Sequence, residues 1–368
     1  MAKANCWPLR AFGSGFDGQI LSGKGINMTG PILNRQEEET LYPDLSIVDP
    51  HHHLWGVPHA EYRVPDFARD LQSSGHRVVG TVHVECQESY WKVGPEPLRA
   101  VGETAYVVAA TPLPVRQALG LPGLCAGIVG YADFRLGAGV GEVLDAHLAA
   151  GDGRFRGIRH TAPADHSAEV GQILHLKPPG LLREPLFRQG FAQLGLRGLS
   201  FDAWVVHPQL DDVAALAQAF PETTIILNHV GGPVGVGSYA HERAQVFDVW
   251  TRGLRNVARE PNVYVKLGGL GMRLGGFGFD RQRQVVGSQT IAAAWQPYIE
   301  TCIQLFGPER CMFESNFPVD GLTCSYATLW NVFKRLAAPY HSNERRELFA
   351  GTARRAYRLE EISFCRMP

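Results

Sequence analysis

Short apolar, β-branched segments alternate along the sequence with longer segments of helical periodicity, and this alternation limits the possible folds more than any other feature. Strands separated by helices form parallel sheets, because each connection must cross over before the next strand begins. Eight strands are predicted: Ser46–Asp49, Val78–Glu85, Ala126–Ala132, Phe155–His160, Leu199–His207, Thr224–His229, Asn262–Leu267 and Arg310–Ser315. We therefore predict the α/β class and a parallel eight-stranded (β/α)8 TIM-like barrel. An open doubly wound sheet is the alternative, although no Gly-x-Gly-x-x-Gly motif follows the first strand.

Residues 1–40 lack clear periodicity and are predicted to be an N-terminal extension, whereas residues 41–368 are predicted to form a single barrel domain. The formal net charge of −1 gives no indication of nucleic acid or membrane as a partner, and a small-molecule substrate is expected. Seven scattered cysteines without a Cys-x-x-Cys pair, and no apparent secretory signal, predict a cytoplasmic protein with reduced thiols. Assembly into a homo-oligomer is compatible with the sequence.

Histidines stand at or just beyond three predicted strand ends, where a barrel enzyme has its active site. His51 and His53 are two residues apart, so both side chains can face the same side of the first strand. His207 and His229 end the fifth and sixth strands. Four such imidazoles can hold a divalent ion such as zinc and leave one ring to orient or deprotonate water. The alternative is a polar turn and hydrogen-bonded structural histidines.

Charged residues accompany these histidines at the predicted strand ends. Glu85 is a candidate general acid or base, with an ion pair as the alternative. Arg159 and Lys266 are candidates for binding a substrate carboxylate, because a cation near the barrel mouth can hold an anion. Salt bridges to Glu85 or Asp133 are the alternative for both cations.

Four segments in chain order carry a more specific signal. They are DPHHHLW at 49–55, FDAWVVHPQ at 201–209, LNHVGGP at 227–233 and MFESNFPV at 312–319. Together they resemble the amidohydrolase-related group of the amidohydrolase superfamily, the branch that contains sugar lactonases and 2-pyrone-4,6-dicarboxylate lactonase. The resemblance extends from about Leu45 to Leu359 and implies a hydrolase.

One position departs from the family pattern. Asn316 stands where the family has a strand-end aspartate that deprotonates the attacking water. An amide has no titratable proton near neutral pH and cannot serve as a general base. Glu85, His229 or Asp320 could replace it, the reaction could need no base, or the protein could lack hydrolase activity.

The resemblance implies hydrolysis of a cyclic ester or related carbonyl substrate that carries a carboxylate. His51, His53 and His207 are then the metal-centred or cationic site, although some family members work without metal. His229 orients or deprotonates water, Asn316 positions it, and Trp55, Arg159 and Lys266 bind the substrate. The alternatives are a metal-dependent non-oxidative decarboxylase of the same superfamily and a catalytically inactive ligand-binding barrel.

Overall fold

A computed structural model describes residues 38–56, 61–282 and 285–359 of the protein. Eight parallel strands pair in chain order, each with the next. They are β1 (Ile47–His52), β2 (Val78–Val84), β3 (Gly127–Gly130), β4 (Phe155–Thr161), β5 (Ser200–Trp204), β6 (Ile225–Leu227), β7 (Val263–Leu267) and β8 (Cys311–Phe313). A parallel bridge between His52 and Phe317 joins the first strand to the segment after the last one. The predicted parallel barrel is confirmed.

Every observed strand overlaps the predicted one, and the differences lie at the strand ends. β1 continues through His52, because its backbone stays paired with β2 up to His83. β5 stops at Trp204 and β8 stops at Phe313, earlier than the sequence predicts. The residues that follow these two strands therefore belong to loops, and their side-chain directions do not follow strand alternation.

Helices follow the strands and cover the outside of the barrel. They are α1 (Val64–Ser73), α2 (Val101–Ala110), α3 (Leu113–Ala118), α4 (Val140–Ala150), α5 (Ala168–Ile173), α6 (Pro185–Gly195), α7 (Leu210–Ala219), α8 (Arg243–Ala258), α9 (Ser288–Phe306), α10 (Tyr326–Leu336), α11 (Ser342–Arg346) and α12 (Thr352–Ala356). A π-helical turn, Glu347–Gly351, lies between α11 and α12.

The first helix shows how local sequence produces this layer. Its start is held by Asp66, whose carboxylate accepts a hydrogen bond from the Arg63 backbone N–H. Such a bond satisfies one of the donors near a helix start. Phe67 and Leu71 lie four residues apart on one face and are buried. As this spacing predicts, the helix packs its apolar face towards the barrel.

Two apolar clusters lie on opposite sides of the barrel strands. The larger one joins strand residues to the helices, and the smaller one joins alternate strand residues to the C-terminal segment. Val82 and Val84 belong to the smaller cluster, and Tyr357 packs there with them. We infer that the C-terminal segment closes one end of the barrel and leaves the other end for the site.

The ends of the chain fall mainly outside the described residues. The predicted extension over 1–40 is described only from Glu38 onward, and the last described residue is Leu359. Of the helices in the described ranges, none combines the length and apolar character needed to cross a membrane.

Candidate active site

The end of β1 brings two of the predicted histidines together. His51 Nε2 and His53 Nε2 lie 3.2 Å apart, and His53 Nδ1 donates to the Val84 carbonyl at 2.8 Å. His52 points to the other side, where its ring stacks on Phe67 with centroids 4.1 Å apart. The predicted alternation is thus observed. Burial lowers the pKa of His51 and of His53 well below the ordinary value, so both imidazoles are neutral.

A buried ion pair, Lys266 with Asp202, contacts Nδ1 of His51. Lys266 Nζ is 2.7 Å from Asp202 Oδ2 and 3.1 Å from His51 Nδ1. Asp202 also accepts hydrogen bonds from the Tyr357 hydroxyl and from Asn228 Nδ2. Lys266 is 0% exposed. The ammonium therefore neutralises Asp202 and faces His51, and its predicted role in binding substrate stays a prediction.

Arg159 forms the second ion pair of the site. Its Nε donates to Glu85 Oε1 at 2.8 Å, and its Nη2 donates to the Glu85 carbonyl. Its Nη1 lies 3.4 Å from His51 Nε2. Two of the three guanidinium nitrogens are thus engaged with Glu85, and Nη1 faces the histidines. The structure forms the ion pair considered as the alternative, while the catalytic role of Glu85 stays a prediction.

His229 meets a carboxylate that the sequence analysis did not select. Glu314 Oε1 accepts one hydrogen bond from His229 Nδ1 at 2.7 Å and another from its backbone N–H at 3.2 Å. Glu314 Oε2 is 2.8 Å from His51 Nδ1. Glu314 is 0% exposed. The available sequence signal was its position, since a charged residue directly follows the apolar strand β8.

Glycines after β7 make room for this pair. A Cβ on Gly269 would lie 2.4 Å from His229 Nδ1, and a Cβ on Gly268 would lie 2.5 Å from Glu314 Cγ. Gly269 also has a φ of +68°, which a side chain would strain. These two glycines therefore allow the segment after β7 to pack closely against His229 and Glu314.

Positive φ angles occur at three residues with side chains around the site. They are His229 at 52°, Val230 at 49° and Asn316 at 52°. A β-branched residue such as Val230 is rarely found there, because its side chain crowds the backbone. Strain of this kind persists where surrounding contacts impose it, and functional sites are a common location. Here the contacts hold the loops after β6 and β8 against each other.

Asn316 turns its amide towards Asp320 and not towards Glu314. Its Nδ2 donates to Asp320 Oδ1 at 2.8 Å, and the Gly271 N–H donates to Asp320 Oδ2 at 3.1 Å. Burial raises the pKa of Asp320 to about 8, which keeps most of this carboxyl protonated at neutral pH. At neutral pH only a small fraction of Asp320 is therefore in the ionised form that can accept a proton, and positioning of water by Asn316 stays a prediction.

Within the described residues, His207 makes no hydrogen bond or ring contact with the other three histidines. Its Nδ1 accepts from the Val234 N–H at 3.4 Å, and its ring contacts Tyr239 with centroids 5.3 Å apart. It also lines a cavity of about 290 Å³ between α7 and α8. The residue of β5 that contacts His229 is Trp204, with ring centroids 4.6 Å apart. β5 ends too early to carry His207 to the histidine cluster, and its role as a metal ligand stays a prediction.

Trp55 lies beside the histidine pair. Its ring is nearly parallel to that of His53, with centroids 5.9 Å apart, and its backbone pairs with Tyr62. Trp55 is half-buried. This placement is compatible with the predicted substrate contact.

The donor atoms of the cluster suit a divalent ion. His51, His229 and Glu314 each offer one ligand atom, and these atoms lie within 4.8 Å of one another. The two Nε2 atoms of His51 and His53 are 3.2 Å apart, close to the roughly 3.3 Å between two ligand nitrogens on tetrahedral zinc. Glu314 Oε2 is buried and accepts no hydrogen bond within the described ranges. The residues therefore fit a metal, whose binding would require its ligand nitrogens to be unprotonated.

Comparison with known proteins identifies the family. The family model described as amidohydrolase matches residues 48–359. This chain belongs to the amidohydrolase family. The predicted resemblance is confirmed, and with it the prediction of a hydrolase-type enzyme.

Three similar proteins illustrate the range of the family. An uncharacterized protein of Sinorhizobium fredii, y4mH, is 34% identical over 338 residues, which cover 86% of this chain and 99% of the relative. An L-fucono-1,5-lactonase of Burkholderia multivorans is 27% identical over 66% of this chain and 74% of its own length. A crystal structure of an amidohydrolase from B. multivorans with bound zinc has a TM-score of 0.62 and 22% identity, over 85% of this chain and 99% of that one. This structural likeness shows the shared fold.

Proposed function

We propose that this enzyme hydrolyses a cyclic ester by attack of water at the cluster of His51, His53 and His229. The observation that supports the proposal is the convergence of three imidazoles from two distant parts of the barrel. His51 and His229 have ring centroids 4.7 Å apart, and His51 and His53 have centroids 4.9 Å apart. Imidazole groups held this close can act on one small reacting group.

His229 is the residue proposed to activate water. Its Nδ1 is engaged by Glu314, and its Nε2 receives no hydrogen bond from the residues that the structure describes. An imidazole with one nitrogen fixed and the other open can accept a proton from water. His229 is buried, with 3% of its surface exposed.

Arg159 is proposed to polarise the ester carbonyl. Nη1 of Arg159 lies on the same side as His51 Nε2, 3.4 Å away. Fixed donors directed at a developing oxyanion stabilise the transition state more than the ground state. A divalent ion held by His51 and His53 would supply the same polarisation as a Lewis acid.

The charge balance of the site favours an uncharged cyclic ester over the carboxylate-bearing substrate that the sequence predicts. Arg159 is paired with Glu85 and Lys266 is paired with Asp202. Glu314 adds a negative charge that no lysine or arginine of the described ranges pairs with. A substrate carboxylate would thus meet no uncompensated cation here. A sugar lactone, the substrate class in the names of two relatives, carries no free carboxylate.

A lactone panel tests the proposal. Purified enzyme is incubated with several sugar 1,5- and 1,4-lactones and with 2-pyrone-4,6-dicarboxylate, and acid release is followed with a pH indicator. We expect turnover of at least one sugar lactone and a fall of about 10²- to 10⁴-fold in kcat for His229→Ala. His241→Ala, at an exposed histidine outside the site, is the matched control and should retain full activity.

Other outcomes would contradict the proposal. Turnover that survives both His51→Ala and His229→Ala would remove these residues from the chemistry. Hydrolysis of the dicarboxylate alone would overturn the preference for an uncharged substrate. Release of carbon dioxide from an aromatic acid, without any lactone turnover, would indicate a decarboxylase. Binding without product, followed by activity in Asn316→Asp, would indicate a barrel that lost catalysis.

A further inference from the structure

Glu314 is the carboxylate closest to the histidine cluster, and it stands two residues before the position where the family has its aspartate. Both of its oxygens face imidazole rings, Oε1 towards His229 and Oε2 towards His51. The side chain is fully buried, and its backbone follows β8 directly. A buried carboxylate is costly unless its contacts compensate it, so a specific arrangement holds it here.

The hydrogen bonds around Glu314 define where the proton of His229 must be. An ionised carboxylate only accepts hydrogen bonds, so the 2.7 Å contact requires a hydrogen on His229 Nδ1. The neutral ring then has its lone pair on Nε2. The same oxygen also accepts the backbone N–H of His229 at 3.2 Å, which fixes the residue at a second point. Orientation and tautomer are thus both determined by one carboxylate.

The neighbouring histidines use their ring nitrogens differently. His53 Nδ1 donates to the Val84 carbonyl, so its Nε2 is an acceptor. His51 Nδ1 lies 3.1 Å from the Lys266 ammonium and 2.8 Å from Glu314 Oε2, and His51 Nε2 lies 3.2 Å from His53 Nε2. Every ring nitrogen of this pair has a partner. Among the three clustered imidazoles of the described structure, His229 is therefore the one with an acceptor nitrogen left for water.

We propose that Glu314 is a positioning residue that holds His229 in the Nδ1–H tautomer and directs Nε2 to the reacting water. In this way it takes the place of the carboxylate that Asn316 cannot supply. Its catalytic consequence rests on the proposed hydrolysis, whereas its effect on the tautomer does not. A carboxylate that orients an imidazole and stabilises the imidazolium is a known source of rate enhancement in hydrolases.

Nitrogen NMR of the histidine rings tests the tautomer directly. Full-length protein is labelled with ¹⁵N-histidine, and long-range ¹H–¹⁵N correlations distinguish Nδ1–H from Nε2–H rings. We expect Nδ1–H for His229 in the wild type and in Glu314→Gln, because the Gln carbonyl can still accept the hydrogen bond. In Glu314→Leu, of similar volume but without an acceptor, we expect the proton to distribute over both nitrogens.

Two controls separate this effect from general disturbance. Asp320→Asn alters another buried carboxyl on the same loop, and it should leave His229 as Nδ1–H. His147, whose Nε2 bonds to the Tyr131 carbonyl far from the cluster, is an internal reporter that should not change in any variant. A wild-type His229 protonated on Nε2 would overturn the proposal. So would a Glu314→Leu spectrum in which His229 remains Nδ1–H.

Kinetics supplies the second readout, with a lactone that the panel shows to be hydrolysed. For Glu314→Leu we expect kcat to fall about 100-fold or more while KM changes less than about threefold, because Glu314 lies behind His229. Glu314→Gln should recover part of kcat, since it restores the tautomer without the charge. Equal losses in both variants would contradict a role through the tautomer. If no lactone is hydrolysed, the proposed function fails, and the NMR result still decides the position of the proton.

Discussion

Replacement of Lys266 by Met tests the buried ion pair beneath the site. Lys266 is 0% exposed, and its ammonium lies 2.7 Å from Asp202 Oδ2. Met retains most of the side-chain volume but removes the charge. Asp202 would keep hydrogen bonds from Tyr357 and Asn228 but would lose its cation. A buried carboxylate without a counter-charge is strongly unfavourable.

The expected loss follows from the burial of both partners. Breaking a buried ion pair by removing one member costs about 3–5 kcal/mol in the free energy of unfolding. For a chain of this size, about 2 °C per kcal/mol corresponds to a decrease in Tm of about 6–10 °C. The double variant Lys266→Met/Asp202→Asn leaves no unpaired charge, so we expect it to be more stable than Lys266→Met. The coupling energy between the two positions should exceed about 2 kcal/mol.

Urea unfolding followed by circular dichroism measures wild type, Lys266→Met, Asp202→Asn and the double variant, with Arg259→Met at an exposed arginine as the control. The control should stay within about 0.5 kcal/mol of wild type. A loss below about 1 kcal/mol for Lys266→Met would refute the reasoning. An increase in KM without any loss of stability would instead support the substrate-binding role that the sequence predicts for Lys266.

Two further predictions concern the loops around the site. Gly269→Ala places a Cβ 2.4 Å from His229 Nδ1 at a φ of +68°. We therefore expect a loss of about 1–3 kcal/mol in unfolding free energy together with a lower kcat. The control Gly278→Ala, at a φ of +73° with no atom within 4 Å of the added Cβ, should lose stability without a change in kcat. Unchanged kcat in Gly269→Ala would contradict the packing argument. Burial raises the pKa of Asp320 from 3.8 to about 8, so the stability that its neutral form contributes is present below pH 3.8 and is lost as the pH rises through 8. Asp320→Asn should remove this pH dependence of the unfolding free energy, which amounts to up to about 1.4 kcal/mol per pH unit. A difference in unfolding free energy between variant and wild type that stays constant from pH 5 to 7.5 would contradict the prediction.

Local sequence was sufficient for the barrel and for the first histidine pair. Strand alternation depends only on backbone geometry, so the i, i+2 spacing of His51 and His53 places both rings on one side and His52 on the other. The predicted strand Leu199–His207 was too long, because β5 ends at Trp204, and the role of His207 as a metal ligand stays a prediction. Beyond Trp204 the 3₁₀ turn His207–Gln209 redirects the chain.

The sequence by itself determined the parallel barrel, its family and the histidines of β1, because each follows from local pattern or ordered motifs. Only the tertiary structure decided which carboxylate contacts the histidine cluster. Glu314 and Asn316 both follow β8, and their side-chain directions depend on a positive φ at Asn316 and on the close approach of Gly268 and Gly269. Such directions arise from packing between loops distant in sequence, which no local pattern encodes.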